Sequence, residues 1–479
     1  MDQSPLLSYD VLLEVGQFAS RSTLSALMKT CRFLYHECGK TMVRRRVVIE
    51  TIPDLASFLA CLNAENGSRC RYLEHLVLDV ELAGLFLPRS IARTLSDILT
   101  QQTFPSLTTL RLHNAEEILR SQPSLPSDFA SLSALTSLTV SSAGSKTISF
   151  LKGLQSQDLQ TVVLKYKPGF DQRPNTLESS HPLMALENFR SSLETVEVHG
   201  YEAELRRARF PERYPRVQEL ILNSPDCPLI APYIHAFPDL RNLSITTVFA
   251  DRLTPDNLPN ELVLIDAFRR ANVDEQVGFG SWTKLETVTG TAPDIYLAGL
   301  RCAIEVLYLN VCTWDPFTMV SSILRDASVT RLHLFVHMIE ALDEDGLPMV
   351  FRQLSDSSLE AISLHVKLCS QVEWEEDLRT VVDHAALDYL VESLASLPVR
   401  KLHFALRCED SGYTGEPHSP RPSTSSKVCG AQKLQDFDCN AFAQRLLSTV
   451  AAVEHVDVRF MCSRKERAVA RRNGNEAIQ

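Results

Sequence analysis

The sequence predicts an α/β solenoid, a curved parallel sheet with helices outside, preceded by a small module of three helices. Behind this stands a strand motif, apolar at its first, fourth and sixth positions, that returns thirteen times between Tyr72 and Val458. Helical periodicity fills the spacers between the motifs, and an N-terminal stretch stays outside the rhythm. A unit that cannot bury its own apolar face must stack on neighbours of its kind. Such a stack supplies a long surface and no catalytic group. The first inference is a binding protein.

In chain order the module comes first, over residues 1–50. PLLSYDVLLEVGQFAS puts Val11, Leu12, Val15, Phe18 and Ala19 on one helical face, with Ser8 placed to cap the first amides. A break at Ser20-Arg21-Ser22 precedes a second helix, where Leu24, Leu27, Met28 and Cys31 recur at spacings of three and four. A third amphipathic stretch carries Leu34, Tyr35 and Met42 and ends in Arg44-Arg45-Arg46. Three short helices make a small core, so such a module gains stability from a partner or from the neighbouring domain. Residues 51–72 read as a linker or N-terminal cap.

The repeats follow over residues 73–462. LTTLRL from Leu107, LETVEV from Leu193, IEVLYL from Ile304, VTRLHL from Val329, LEAISL from Leu359 and VRKLHF from Val399 are representative. Positions one, four and six point inward, and the residues between them face the concave surface. Ile91, Leu95, Ile98 and Leu99 mark one helical spacer; Leu387, Leu390, Val391 and Leu394 mark another. Phe104-Pro105, Tyr214-Pro215 and Phe237-Pro238 close helices and launch strands, because proline drives its predecessor to extended backbone. In the Leu285 motif, Gly290 stands where an apolar residue belongs. Residues 409–426, rich in Ser, Pro and Gly, read as a disordered insertion, and 463–479 as a basic disordered tail.

The repeats resemble leucine-rich repeats, LxxLxLxxN/CxL, with Cys312 at the position of the closing Asn or Cys. Start-to-start spacings run from 19 to 54 residues, so the resemblance is to an irregular leucine-rich-repeat solenoid. The module is similar to the F-box of fungal F-box proteins. LSYDVLLEV from Leu7 matches that family's first helix, and LSALMKTCRFLY from Leu24 its second helix and TCR-x-L-Y step. Ser8 replaces the usual Pro, and the Trp common near the module's end is absent. VVIETIPDLASFLACL from Val47 matches the linker placed before the repeats.

The resemblance implies the substrate-recognition subunit of an SCF-type ubiquitin ligase. The partners would be a Skp-type adaptor, the cullin ligase core and a protein substrate. By position, Leu7, Val11, Leu12, Val15, Leu24, Leu27 and Leu34 match the family's apolar adaptor-docking pattern. Helices in this place also serve to cap a solenoid, so a leucine-rich-repeat protein-binding scaffold with no ubiquitin link is the alternative reading.

Substrate choice belongs to motif positions five and seven. There Tyr308, His333, Phe335, His365 and His403 fall on adjacent strands and form the expected substrate-binding patch. Composition excludes other classes. A formal charge of −11 without a dense basic face argues against nucleic acid and anionic membranes. No apolar run of eighteen residues suggests a membrane span, and Asp2, Asp10 and Glu14 interrupt any secretory leader. Twelve scattered cysteines form no CxxC pair, as expected of a reduced cytoplasmic or nuclear protein. No phosphate loop, GxSxG or HExxH occurs. Glu373–Asp377 is a solvated acidic run, and Asp343–Gly346 lacks the closing Glu of a calcium loop. No enzyme activity, cofactor or metal is expected.

Overall fold

The computed structural model of the chain describes residues 8–82, 85–166, 182–200, 212–224, 229–247, 253, 256–312, 315–337, 340–354, 357–368, 384–408, 437–461 and 465–472. Leu7, the acidic run Glu373–Asp377 and the insertion expected at 409–426 lie outside them. The chain divides into two compact units, Met1–Asn223 with Ala236–Asp239, and Ser224–His235 with Leu240–Gln479.

The first unit opens with three helices, α1 (Tyr9–Phe18), α2 (Arg21–Met28) and α3 (Arg32–Arg44). Ser8 Oγ accepts from Val11 N, as its position before the helix requires, and Ser20 caps α2 in the same way. Arg45 reaches back to close α1, donating to the carbonyls of Ala19, Gly16 and Gln17. Leu24, Leu34 and Cys38 form the module's buried centre, with Leu12, Leu13, Leu27 and Met42 packed around it.

Seven strands follow in chain order: β1 (Val47–Ile49), β2 (His75–Leu78), β3 (Thr109–Leu112), β4 (Ser137–Ala143), β5 (Thr161–Tyr166), β6 (Thr195–His199) and β7 (Glu219–Ser224). Each pairs in parallel with the next. The second unit continues with β8 (Asn242–Thr247), β9 (Lys284–Thr291), β10 (Ala303–Val311), β11 (Ser328–Val336), β12 (Ala361–Leu368), β13 (Lys401–Cys408), β14 (His455–Met461) and β15 (Lys465–Arg471). Its pairs are parallel too, except the antiparallel β14–β15. Each unit is thus an open, mostly parallel α/β sheet compatible with a solenoid. Among the described residues, no helix is long and apolar enough to cross a membrane.

All thirteen motifs are strands, β2 to β14, and the residues at positions one, four and six are buried in every one. Gly290 in β9 is the informative exception to apolarity. A Cβ there would lie 2.8 Å from Ile295 Cδ1 and 2.7 Å from Ile245 O. Ile295, on the helix Ala292–Ala298, fills the space that a side chain at position six would take. The glycine is a packing solution within a true repeat.

Two expectations are corrected. Val47–Ile49 pairs with β2, so the sheet starts within the residues assigned to the N-terminal module; the segment read as linker or cap then holds a helix, Ile52–Asn63. The basic tail is not disordered over Lys465–Arg471, which forms β15. Its order has three sources: Ala468 and Ala470 are buried, Arg467 grips Asp457, and Arg472 donates to Leu447 O and Val450 O at the end of the helix Cys439–Thr449. At the turn after β10, Asp315 Oδ2 accepts from Cys312 N at 2.7 Å, and after β3 the left-handed Asn114 donates through Nδ2 to Val80 O.

Buried polar groups tie the connections down. Arg69, 2% exposed, donates to Glu65 at 2.7 Å and to Cys61 Sγ at 3.2 Å, and lies 4.5 Å over the Tyr35 ring of α3. Gly39 of α3 lets this guanidinium pass, since a Cβ would sit 3.0 Å from Arg69 Cζ. His36 Nδ1 meets Glu65 Oε2 at 2.9 Å, so α3 is anchored to the segment that precedes β2. In the second unit, burial first, then the nearby Asp294 charge, drive the Asp315 carboxyl up to about 7 against the hydrogen bond from Cys312 N; among the described residues Asp315 Oδ1 has no hydrogen-bond partner.

Candidate functional site

Parallel register decides what stands beside what. Position five of successive motifs places Tyr308 opposite His333, His333 opposite Ser363, Ser363 opposite His403 and His403 opposite Asp457. Position seven places Asn310, Phe335, His365, Ala405 and Arg459 in the neighbouring row. Strands in a sheet lie about 4.8 Å apart, so large side chains in one row must touch. Tyr308 stacks on His333 with ring centroids 4.6 Å apart, and Phe335 on His365 at 4.8 Å. His365 meets His403 across the rows at 4.9 Å. The structure therefore brings all five expected substrate-binding residues onto one surface, where His333, His365 and His403 line a groove of about 540 Å³ over β11–β14 and Tyr308 and Phe335 stack beside it.

Ser363 is the hub of this surface. Its Oγ lies 2.9 Å from His365 Nε2 and 2.8 Å from His403 Nδ1. A hydroxyl carries one proton, so at least one imidazole must donate to it. His403 Nε2 lies 4.0 Å from Asp457 Oδ2, which favours a proton on Nε2 and a lone pair on Nδ1. Ser363 then donates to His403 Nδ1 and accepts from His365 Nε2. Arg467 and Arg459 hold the buried Asp457, Arg467 through two hydrogen bonds of 3.0 and 2.9 Å and Arg459 through one of 3.0 Å. Burial opposes the Asp457 charge, but hydrogen bonds from Arg467 and then Arg459 outweigh it and hold the carboxyl below its usual range.

Burial works against a charge on each of these imidazoles. Burial, and next the charges of His403 and His333, push His365 down to about 4. Burial also lowers His333, with Arg331 adding to it, and it lowers His403 against the pull of Asp457.

Ser363, His403 and Asp457 together invite comparison with a nucleophile, base and carboxylate. The geometry is that of a hydrogen-bond relay instead. The His403–Asp457 separation exceeds a hydrogen bond, and the carboxylate is already engaged by two guanidiniums. Ser363 sits mid-strand in β12, paired on both sides, where no two free amides converge on an oxyanion position. Among the described residues no group of three or more His, Cys, Asp or Glu is placed to hold a metal ion.

Sequence reasoning missed Ser363, Lys401 and Arg467. Ser363 occupies the same motif position as His333 and His403, so that position carried the signal. Arg467 was hidden in a short basic stretch, Lys465–Arg471, whose buried residues are two alanines.

The second candidate surface is the N-terminal module, where the structure separates residues that looked alike. Leu24 and Leu34 are core, at 0% and 2% exposure, and Leu12 and Leu27 pack against them. Val11 and Val15 point outward at 42% and 49%, and with Phe18 at 89% they line one exposed stripe of α1. Tyr9 and Phe33, both exposed, meet with ring centroids 4.9 Å apart and extend the apolar surface.

No family model matches the chain, and no curated protein matches it.

Proposed function

We propose that this chain is the substrate-recognition subunit of an SCF-type ubiquitin ligase. It docks a Skp-type adaptor through an F-box-like module and holds a protein substrate on an irregular leucine-rich-repeat surface. The observation that carries this reading is the exposed apolar stripe Val11, Val15 and Phe18 on a small helical module. Exposed apolar side chains grouped on one face are the ordinary sign of a docking surface. The chain then works by proximity. Transfer chemistry belongs to the partner enzymes, while this subunit supplies effective concentration and orientation, in the cytoplasm or nucleus. The Arg69 anchor on α3 suits that role, because a loosely held module would dilute the orientation it provides.

The same anchor favours a second reading. Arg44 pairs with Glu74 at 3.1 Å, and α3 covers the start of the sheet as a solenoid cap does. In that case the protein is a repeat scaffold without a ubiquitin link.

Co-purification of the full chain with a Skp-type adaptor and cullin core separates the two. Adaptor capture is expected, and Val15→Asp should weaken it at least tenfold, the factor carried by about 1.4 kcal/mol, with thermal unfolding unchanged. Leu12→Asp reports folding rather than docking, since Leu12 packs on the module's core. A folded full chain that leaves the adaptor behind makes the scaffold the correct reading.

A further inference from the structure

We infer that the groove over β11–β14 binds an acidic peptide segment, its carboxylates seated between cations on the two rims of the histidine row. The inference rests on the reading of this surface as the substrate site, and it names the chemistry of the substrate. The chain as a whole carries −11, yet here the sign reverses. One rim has Arg331 of β11 and Lys401 of β13; the other has Arg459 of β14, with Arg467 of β15 next to it in the sheet and bonded to Asp457. Lys401 is exposed and forms no ion pair among the described residues. Asp457 is shared by two guanidiniums, so that trio keeps a net positive charge. Arg331 is partly matched by Glu305 of β10.

Among the described residues, two buried nitrogens in the wall, Arg459 Nε and His403 Nε2, have no hydrogen-bond partner. Buried donors left this way are costly, and a carboxylate close by offsets part of that cost. The imidazoles point the same way. The charges facing them are mostly positive: Arg331 on β11, Lys401 and Arg407 on β13, Arg459 on β14, and Arg467 and Arg471 on β15, against Asp457. A bound carboxylate supplies the missing counter-charge, so His333, His403 and His455 take up protons on binding. Affinity should therefore rise as pH falls. A nucleic acid suits the groove less well. Each of the rings of Tyr308, His333, Phe335 and His365 already has one face taken by its stacking partner, which leaves fewer faces for unpaired bases.

The test is fluorescence anisotropy on the full chain with a labelled peptide of alternating Glu and Gly, its Gln–Gly counterpart, and an oligothymidylate of similar length. The Glu peptide alone is expected to bind, several-fold more weakly as salt rises from about 50 to about 300 mM. Its affinity should rise several-fold between about pH 7.5 and pH 5.5. Arg459→Gln should weaken it roughly tenfold and Lys401→Gln about threefold; the exposed Lys401 leaves folding untouched. Equal binding of the Gln peptide, wild-type binding by both variants, or tighter binding of the oligothymidylate would each overturn the inference. Adaptor capture is read separately. If it persists while the Glu peptide fails, only the groove assignment falls; if the peptide binds without adaptor capture, the groove stands and the ligase link falls.

Discussion

The sheet faces of the two units share one motif and one register, and they do different things with it. In the first unit, position five runs Arg111, Thr139, Val163, Glu197 and Ile221, an order in which no neighbour complements the next. Its polar contacts are local pairs, His113 with Asp79 at 3.6 Å and His199 with Glu197. In the second unit the same row runs Tyr308, His333, Ser363, His403 and Asp457; Tyr308 stacks on His333, Ser363 hydrogen-bonds His403, and His403 faces Asp457 at 4.0 Å. Strand length contributes: β2 and β3 have 4 residues each, whereas β10 and β11 have 9. Longer strands keep positions five and seven in register together, so two rows can interlock through Ser363. Isolated exposed pairs contribute little, while a connected half-buried network gains from each member it keeps. The second face is the specialised one.

The sharpest way to break this contrast is to remove one carboxylate from each face. Asp457→Ala strands two guanidiniums and frees β15, and should cost about 3–4 kcal/mol in chemical denaturation. Glu197→Ala on the first face should stay within about 0.5 kcal/mol. Equal costs would mean that the network is no more than a set of independent pairs.

Buried charge in the second unit also predicts a pH signature. The Asp315 carboxyl is raised to about 7, so between about pH 4 and 7 the folded state holds a proton that the unfolded state has lost. Stability from this group is present at low pH and falls as pH rises toward 7. Asp315→Asn should remove that slope and stabilise the protein at pH 8 by on the order of 3 kcal/mol, measured by denaturant unfolding at pH 5 and pH 8. An unchanged slope would place the titration elsewhere.

In the first unit the corresponding buried charge is Arg69, which is paired. Arg69→Leu should cost about 2 kcal/mol, less than a fully buried pair because Glu65 is partly exposed and keeps His36. Hydrogen exchange in α3 should rise with it. Protection in α3 that survives the change would show the helices to be held by their own core.

Much of this was legible in the residues. Thirteen strands and their inward positions follow from a period-two pattern, because the side chains of a strand alternate faces whatever surrounds it. The five aromatic and histidine residues could be grouped for the same reason, since parallel repeats in one phase put equal motif positions side by side. The failures have physical causes too. β1 carries only three residues and β15 buries two alanines, so neither shows enough apolar contrast to be read locally. Val15 and Leu24 are equally apolar, and only packing separates an exposed residue from a buried one.

The sequence by itself thus determined the repeat, its register and the candidate residues of the groove, because periodicity is a local property that survives without knowledge of neighbours. Tertiary structure alone decided that Ser363 joins two imidazoles, that Arg467 reaches Asp457, and which face of α1 stays in contact with water. Those outcomes depend on distances between residues far apart in the chain, and such distances exist only after the strands have paired and the helices have packed.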